Sequence, residues 1–260
     1  MPYATLTYQS DDRIATIALA VPEKRNAISQ QMVADLLAAL AQAESSSVRA
    51  VILTGSGKAF CAGMDLDELQ LLGKSTLQKN LEDARRVANV FHRLYAFPKP
   101  VIAAVNGAAI AGGCGMATLA DFTLAVPEAK FGYPEVKLGF MPALVAVFLC
   151  RQIAEKHARD LLLTGRIIDA AEAYRMGLVT EIVPGARLME RAHEIASTLL
   201  AASPTAVART KKFLLNFDDS AIRAELEAAI GANANIRATP DFQEGIAAFL
   251  EKRAPKWSGD

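Results

Sequence analysis

The sequence predicts an α/β fold, and three observations carry that reading. Short β-branched runs alternate with amphipathic stretches in the first half, strand signals stop after residue 183, and residues 187–260 read as helices. Strands are expected at residues 14–20, 48–54, 100–105, 122–126 and 178–183. Between them, Ser29 is placed to cap a helix that carries Val33, Leu36, Leu37 and Leu40 on one face. Ser75 or Thr76 caps another, with Leu81, Val87, Phe91 and Leu94 inward. The leucine-rich run 66–72, closed by Gly73, reads as a flap beside the turn at Gly63. Ser203-Pro204, Asp218-Asp219 and Thr239-Pro240 break the C-terminal region into separate helices.

The 260 residues, 52% hydrophobic and 22% charged, suffice for one large or two small globular domains with a sizeable core. Lys plus Arg and Asp plus Glu balance at 28 each, so no global field favours nucleic acid or an anionic membrane surface. Cys61, Cys114 and Cys150 are odd in number, widely spaced and in apolar surroundings, which points to free thiols in a reducing compartment. No CxxC or CxxH spacing suggests a metal, and none is expected. The N-terminus has no apolar signal core and no run reaches membrane-spanning length, so the cytoplasm is the expected location.

Two glycine-containing turns each follow a strand and open a helix. The first, Gly55-Ser-Gly-Lys-Ala-Phe-Cys-Ala-Gly63-Met64-Asp65-Leu66, places Asp65 as a helix cap with Glu68 three residues on, as in a capping box. The second, Asn106-Gly-Ala-Ala-Ile-Ala-Gly112-Gly113-Cys-Gly115-Met116, lacks the Lys-Ser/Thr of a P-loop. Such turns serve close backbone packing, or they present N–H groups to developing negative charge. Two separate turns that each offer one donor match an oxyanion hole; two ordinary strand-to-helix loops match as well.

In order along the chain, Val-Pro-Glu-Lys24-Arg25-Asn26-Ala, Ala-Phe-Cys-Ala62-Gly63-Met64-Asp65-Leu66, the strand and glycine turn at 100–115, Ala-Lys-Phe-Gly-Tyr-Pro-Glu135, Leu-Thr-Gly-Arg166 and Phe-Gln-Glu-Gly-Ile-Ala-Ala-Phe249-Leu-Glu-Lys252-Arg closely resemble the crotonase (enoyl-CoA hydratase/isomerase) superfamily. The resemblance spans nearly the whole chain. It implies a crotonase-like spiral of ββα units over residues 1–200 and a helical region, 201–260, that builds trimers or dimers of trimers. It also implies an acyl-CoA thioester as substrate, with coenzyme A as part of that substrate and no separate cofactor. The thioester oxyanion hole falls on the backbone N–H groups of Met64 and Gly112, where an added side chain at Gly112 is expected to block the thioester. Lys24 and Arg25 fall by the CoA phosphates, Ala62, Gly63, Asp65 and Leu66 along the adenine, and Phe249 with Lys252 within reach of a neighbouring subunit's ligand. Glu135, in a stretch with few other charges, falls on the acid/base position, where desolvation raises a carboxyl pKa towards proton exchange with a carbon acid.

The chain departs from the resemblance at Gly115. Hydratases of this family typically carry a second glutamate there. One carboxylate suffices to move a proton from Cα to Cγ in a 3-enoyl to 2-enoyl isomerisation; hydration must be run by Glu135 without its usual companion. The family's commonest activity makes 2-enoyl-CoA hydration the first expectation, isomerisation the second, and a non-catalytic acyl-CoA-binding protein the third. The small residues Ala108, Ala109 and Ala111 suggest a short or branched acyl group. Residues 136–150 hold no Asp or Glu, which disfavours an aspartate-nucleophile dehalogenase. His92, His157 and His193 read as surface or packing residues.

Overall fold

The computed structural model describes residues 3–259. Its strands are β1 (Leu6–Asp11), β2 (Ile14–Leu19), β3 (Ala50–Gly55), β4 (Ala59–Cys61), β5 (Val101–Val105), β6 (Ala108–Ile110), β7 (Phe122–Ala125), β8 (Lys130–Gly132), β9 (Ile167–Asp169) and β10 (Glu181–Ile182). The first helices are α1 (Gln30–Ser45), α2 (Leu66–Leu72), α3 (Leu77–Tyr95), α4 (Gly112–Thr118) and α5 (Ala143–Gln152). They are followed by α6 (Glu155–Thr164), α7 (Ala170–Met176), α8 (Leu188–Ala201), α9 (Pro204–Asn216), α10 (Asp219–Ile236) and α11 (Pro240–Leu250).

The strands divide between two sheets in a way that defines the architecture. One sheet runs β1-β2-β3-β5-β7-β10, the other β4-β6-β8-β9. Three successive strand pairs, β3/β4, β5/β6 and β7/β8, each give their first strand to the large sheet and their second to the small one, with helix following. Repeating that step winds the chain into the expected spiral of ββα units. Among the described residues only the β1–β2 and β8–β9 pairings are antiparallel. The central strands β3 and β5 pair in parallel from Val51 opposite Val101 to Thr54 opposite Ala104. Covered on both faces, β5 reads as an unbroken apolar run and is buried throughout.

Ser29 caps α1 through the Met32 N–H, and Thr76, rather than Ser75, caps α3 through the Lys79 N–H. The strand expected over 178–183 contracts to two residues. The Leu178 and Val179 N–H groups both donate to Ala173 O and so close α7, leaving only Glu181 and Ile182 to pair with β7. Five strands carry no clear sequence signal: β1, and the three-residue β4, β6, β8 and β9, which are too short to show a period.

The C-terminal helices close the rear of the spiral. α10 packs on α3 and α5, and α11 packs on α2. There Leu69, Phe140, Phe242 and Ile246 form an apolar cluster separate from the main core. This cluster ties the flap α2 and the loop after residue 138 to α11, which positions the walls of the site described next. Among the described residues no helix is long and apolar enough to cross a membrane.

Candidate active site

Two cavities meet inside the spiral. The outer one, about 670 Å³, opens between the turn at Lys24 and Arg25, the start of α2 and the end of α11. The inner one, about 30 Å³, lies between α3, α5 and the end of α10. Met64, Gly112, Glu135 and Phe140 line both, so these residues form the neck between them. Lys24, Arg25, Ala62, Asp65, Leu66 and Phe249 line the outer cavity. Phe249 therefore borders its own chain's cavity, next to Leu250, whereas Gly63 and Lys252 do not line it.

The backbone at the neck explains why two N–H groups are free. Gly63 O accepts from Ile28 N at 2.7 Å and Asp65 N donates to Ile28 O at 3.0 Å. The residue between them, Met64, is thereby held with its own N–H turned away from Ile28. Gly112 is the first residue of α4, where no preceding turn supplies an acceptor. Ala111, just before it, adopts φ 53° and ψ −126°, an uncommon conformation for a residue with a Cβ, and is anchored by its N–H to Gly132 O at 2.8 Å. Among the described residues neither the Met64 nor the Gly112 N–H meets an acceptor. Fixed donors of this kind meet charge as it develops on a carbonyl oxygen.

The glycines of this turn serve different ends. A Cβ on Gly113 would lie 2.3 Å from Cys61 O, so this residue lets α4 pack directly on β4. A Cβ on Gly112 would meet Ile28 Cδ1 at 3.1 Å and Phe91 Cζ at 3.4 Å. A side chain on Gly112 would therefore also press on the wall behind it.

Glu135 follows Pro134 in a short 3-10 turn and is buried, 7% exposed. Its Oε2 has no hydrogen-bond partner, and burial pushes the carboxyl up to about 7. A buried acceptor left open at the neck of two cavities suits a group that exchanges protons near neutral pH. The thiols of Cys61 and Cys114 are pushed up to about 12 by burial, so they act as small apolar side chains. Among the described residues no cluster of three or more His, Cys, Asp or Glu could hold a metal.

At the outer mouth, Lys24 Nζ donates to Asp65 Oδ2 at 2.7 Å. Burial acts to raise the Asp65 carboxyl, but the Lys24 ammonium and the N–H groups of Glu68 and Asp67 outweigh it and hold it below the usual range. Asp65 caps α2 as expected. The capping box does not form, because the Asp65 N–H is taken by Ile28 O; Glu68 accepts instead from Gln30 N and ties α2 to the start of α1.

Asn26 is the positioning residue that sequence reasoning left without a role. Fully buried and left-handed at φ 55°, it donates to Ser56 O, Ala59 O and Phe60 O and accepts from Val21 N. It joins the Lys24-Arg25 turn to the loop before β4. Asn26→Ala leaves buried carbonyls unpaired, and the expected result is a loss of about 3 kcal/mol in urea-unfolding stability.

A family model described as enoyl-CoA hydratase/isomerase matches residues 9–260. The chain belongs to this family. It is 44% identical over 245 residues to a putative enoyl-CoA hydratase of Thermus thermophilus, covering 94% of this chain and 97% of that one. It is also 35% identical over 256 residues to the 2,3-dehydroadipyl-CoA hydratase of Escherichia coli, covering 98% of each. A crystal structure of an enoyl-CoA hydratase/isomerase from Xanthobacter autotrophicus superposes with a TM-score of 0.89 at 30% identity, covering 97% of this chain and 98% of that one. As an enoyl-CoA hydratase/isomerase family member with a crotonase-like fold, the chain is notable at Gly115. A Cβ there would lie 2.7 Å from Val145 Cγ1, so α5 fills the space into which a side chain on residue 115 would project.

Proposed function

We propose that the chain is an enoyl-CoA hydratase acting on short 2-enoyl-CoA thioesters, with Glu135 as its one acid/base group. The observation that carries this reading is the open Glu135 Oε2 at the same neck as the free N–H groups of Met64 and Gly112. The CoA moiety occupies the outer cavity, with Lys24 and Arg25 by its phosphates and the backbone of residues 62–66 along its adenine. The thioester oxygen takes the two N–H groups. Ionised Glu135 accepts a proton from water as the water oxygen bonds to Cβ and the double-bond electrons move onto the thioester oxygen. The enolate then collapses, and Cα takes that same proton from Glu135. Addition of water is complete with a single carboxylate. The relatives named enoyl-CoA hydratase support the reading, and coenzyme A enters only as part of the substrate.

A second reading, 3-enoyl to 2-enoyl isomerisation, is favoured by one observation. Val145 takes the space beside Gly115, which leaves the neck with one carboxylate and an apolar wall. In that reaction Glu135 carries a proton from Cα to Cγ and no water is needed. Incubation with 2-enoyl- and 3-enoyl-CoAs of several lengths separates the cases. A 3-hydroxyacyl product identifies hydration, a shifted double bond alone identifies isomerisation, and no turnover with retained binding identifies a binding protein. For either reaction kcat/KM should rise with pH through about 7, as Glu135 ionises, and then level off. A trimer, or a pair of trimers, belongs to this reading; Phe213 and Leu214 on α9 and Phe217 just beyond it are exposed and supply apolar surface for it.

A further inference from the structure

The inner cavity ends on a polar group that neither proposed reaction uses. Arg237, at the C-terminal end of α10, is 1% exposed, yet it lines this cavity together with Asn233. Its Nη1 donates to Asp83 Oδ2 and its Nη2 to Asn233 Oδ1, both at 2.8 Å. Its Nε has no partner. The Asn233 side-chain nitrogen also donates to no described residue. The remaining walls, from Val87, Phe91, Leu144 and Val145, are apolar. A purely hydrocarbon acyl chain would leave these donors unmatched, and an unsatisfied buried polar group is unfavourable.

We propose that the acyl group taken by this site carries a neutral hydrogen-bond acceptor, a carbonyl or hydroxyl oxygen, at its far end, received by Arg237 and Asn233. The proposal rests on the acyl-CoA reading above and names the substrate class within it. Charge decides for a neutral acceptor over a carboxylate. Asp83, 4% exposed, already pairs with Arg237, so a carboxylate would place a second buried anion on one guanidinium and would itself have to be desolvated. A ketone or hydroxyl oxygen takes the spare donors and adds no charge. The small inner volume, about 30 Å³, limits the chain to a few carbons beyond the thioester.

Titration calorimetry with non-reacting saturated thioesters tests this without relying on turnover. Pentanoyl-CoA, 4-oxopentanoyl-CoA and succinyl-CoA are compared on the intact protein. The 4-oxo compound is expected to bind about tenfold more tightly than pentanoyl-CoA, a hydrogen bond's worth of free energy. The preference should disappear in Asn233→Leu and in the double variant Asp83→Leu with Arg237→Met, in which both buried charges are removed together so that neither is stranded. Equal or tighter binding of pentanoyl-CoA, tightest binding of succinyl-CoA, or a preference that survives in both variants overturns the proposal. If none of the three thioesters binds, the acyl-CoA reading itself fails, a result distinct from binding without discrimination.

Discussion

Glu135→Gln is expected to lower turnover by about a thousandfold, the range set by losing a positioned acid/base group, while acyl-CoA binding survives. Exchange of the α-proton of a saturated acyl-CoA in D₂O should vanish in the same variant, because the glutamine amide cannot take up and return the proton. Exchange at the wild-type rate would remove Glu135 from the mechanism. The same substitution is expected to stabilise the fold in a pH-dependent way. Burial holds the Glu135 carboxyl at about 7 in the folded chain against an ordinary 4.5. At acid pH both states are protonated and nothing is gained. As pH rises from 4.5 to about 7 the unfolded chain ionises first, which lowers stability, and above 7 the full loss of about 3 kcal/mol is present. Glutamine removes that loss, so urea midpoints should coincide for the two proteins near pH 4 and favour the variant by about 3 kcal/mol near pH 8.5. This combination of lost turnover and gained stability is the signature of a group kept in an unfavourable place for its chemistry.

Asp83→Ala should give the largest loss of stability, about 3–5 kcal/mol, because it strands Arg237 without its counter-ion beneath α3 and α10. The two side chains are 6% and 2% exposed, and the guanidinium also lies over the Phe140 ring at 5.8 Å from its centroid. Replacing both partners with apolar residues of similar size should return most of the loss, since the desolvation of the two charges disappears with them. Urea unfolding of the single and double variants measures both effects. If the single variant is within about 0.5 kcal/mol of the parent, the pair does not behave as a dry ion pair.

Much of the candidate site was legible because its residues lie in short local motifs. Met64, Asp65 and Leu66 are consecutive, Gly112 opens a helix, and Glu135 follows a proline; each sits in a short motif whose backbone role can be read without the rest of the chain. Asn26 was visible in the Lys-Arg-Asn run, but its four partners lie on Val21, Ser56, Ala59 and Phe60, and only folding brings them to it. Glu68 follows the same rule. Its spacing from Asp65 fits a capping box, yet the Asp65 N–H has a distant partner in Ile28, so Glu68 accepts instead from Gln30 N at the start of α1.

The sequence by itself determined the α/β class, the strands β2, β3, β5 and β7, the helices α1 and α3, the family through its ordered motifs, and the absence of a carboxylate at residue 115. These follow from periodicity and from residue types in short stretches. The tertiary structure alone decided that Val145 occupies the space beside Gly115, that Phe249 borders its own chain's cavity, and that Arg237, paired with Asp83, lines the inner cavity with Asn233. Those facts join residues up to 154 positions apart. They depend on how α3, α5 and α10 pack, and a side chain's neighbours across a packed interface leave no periodic trace in the strand or helix that carries it.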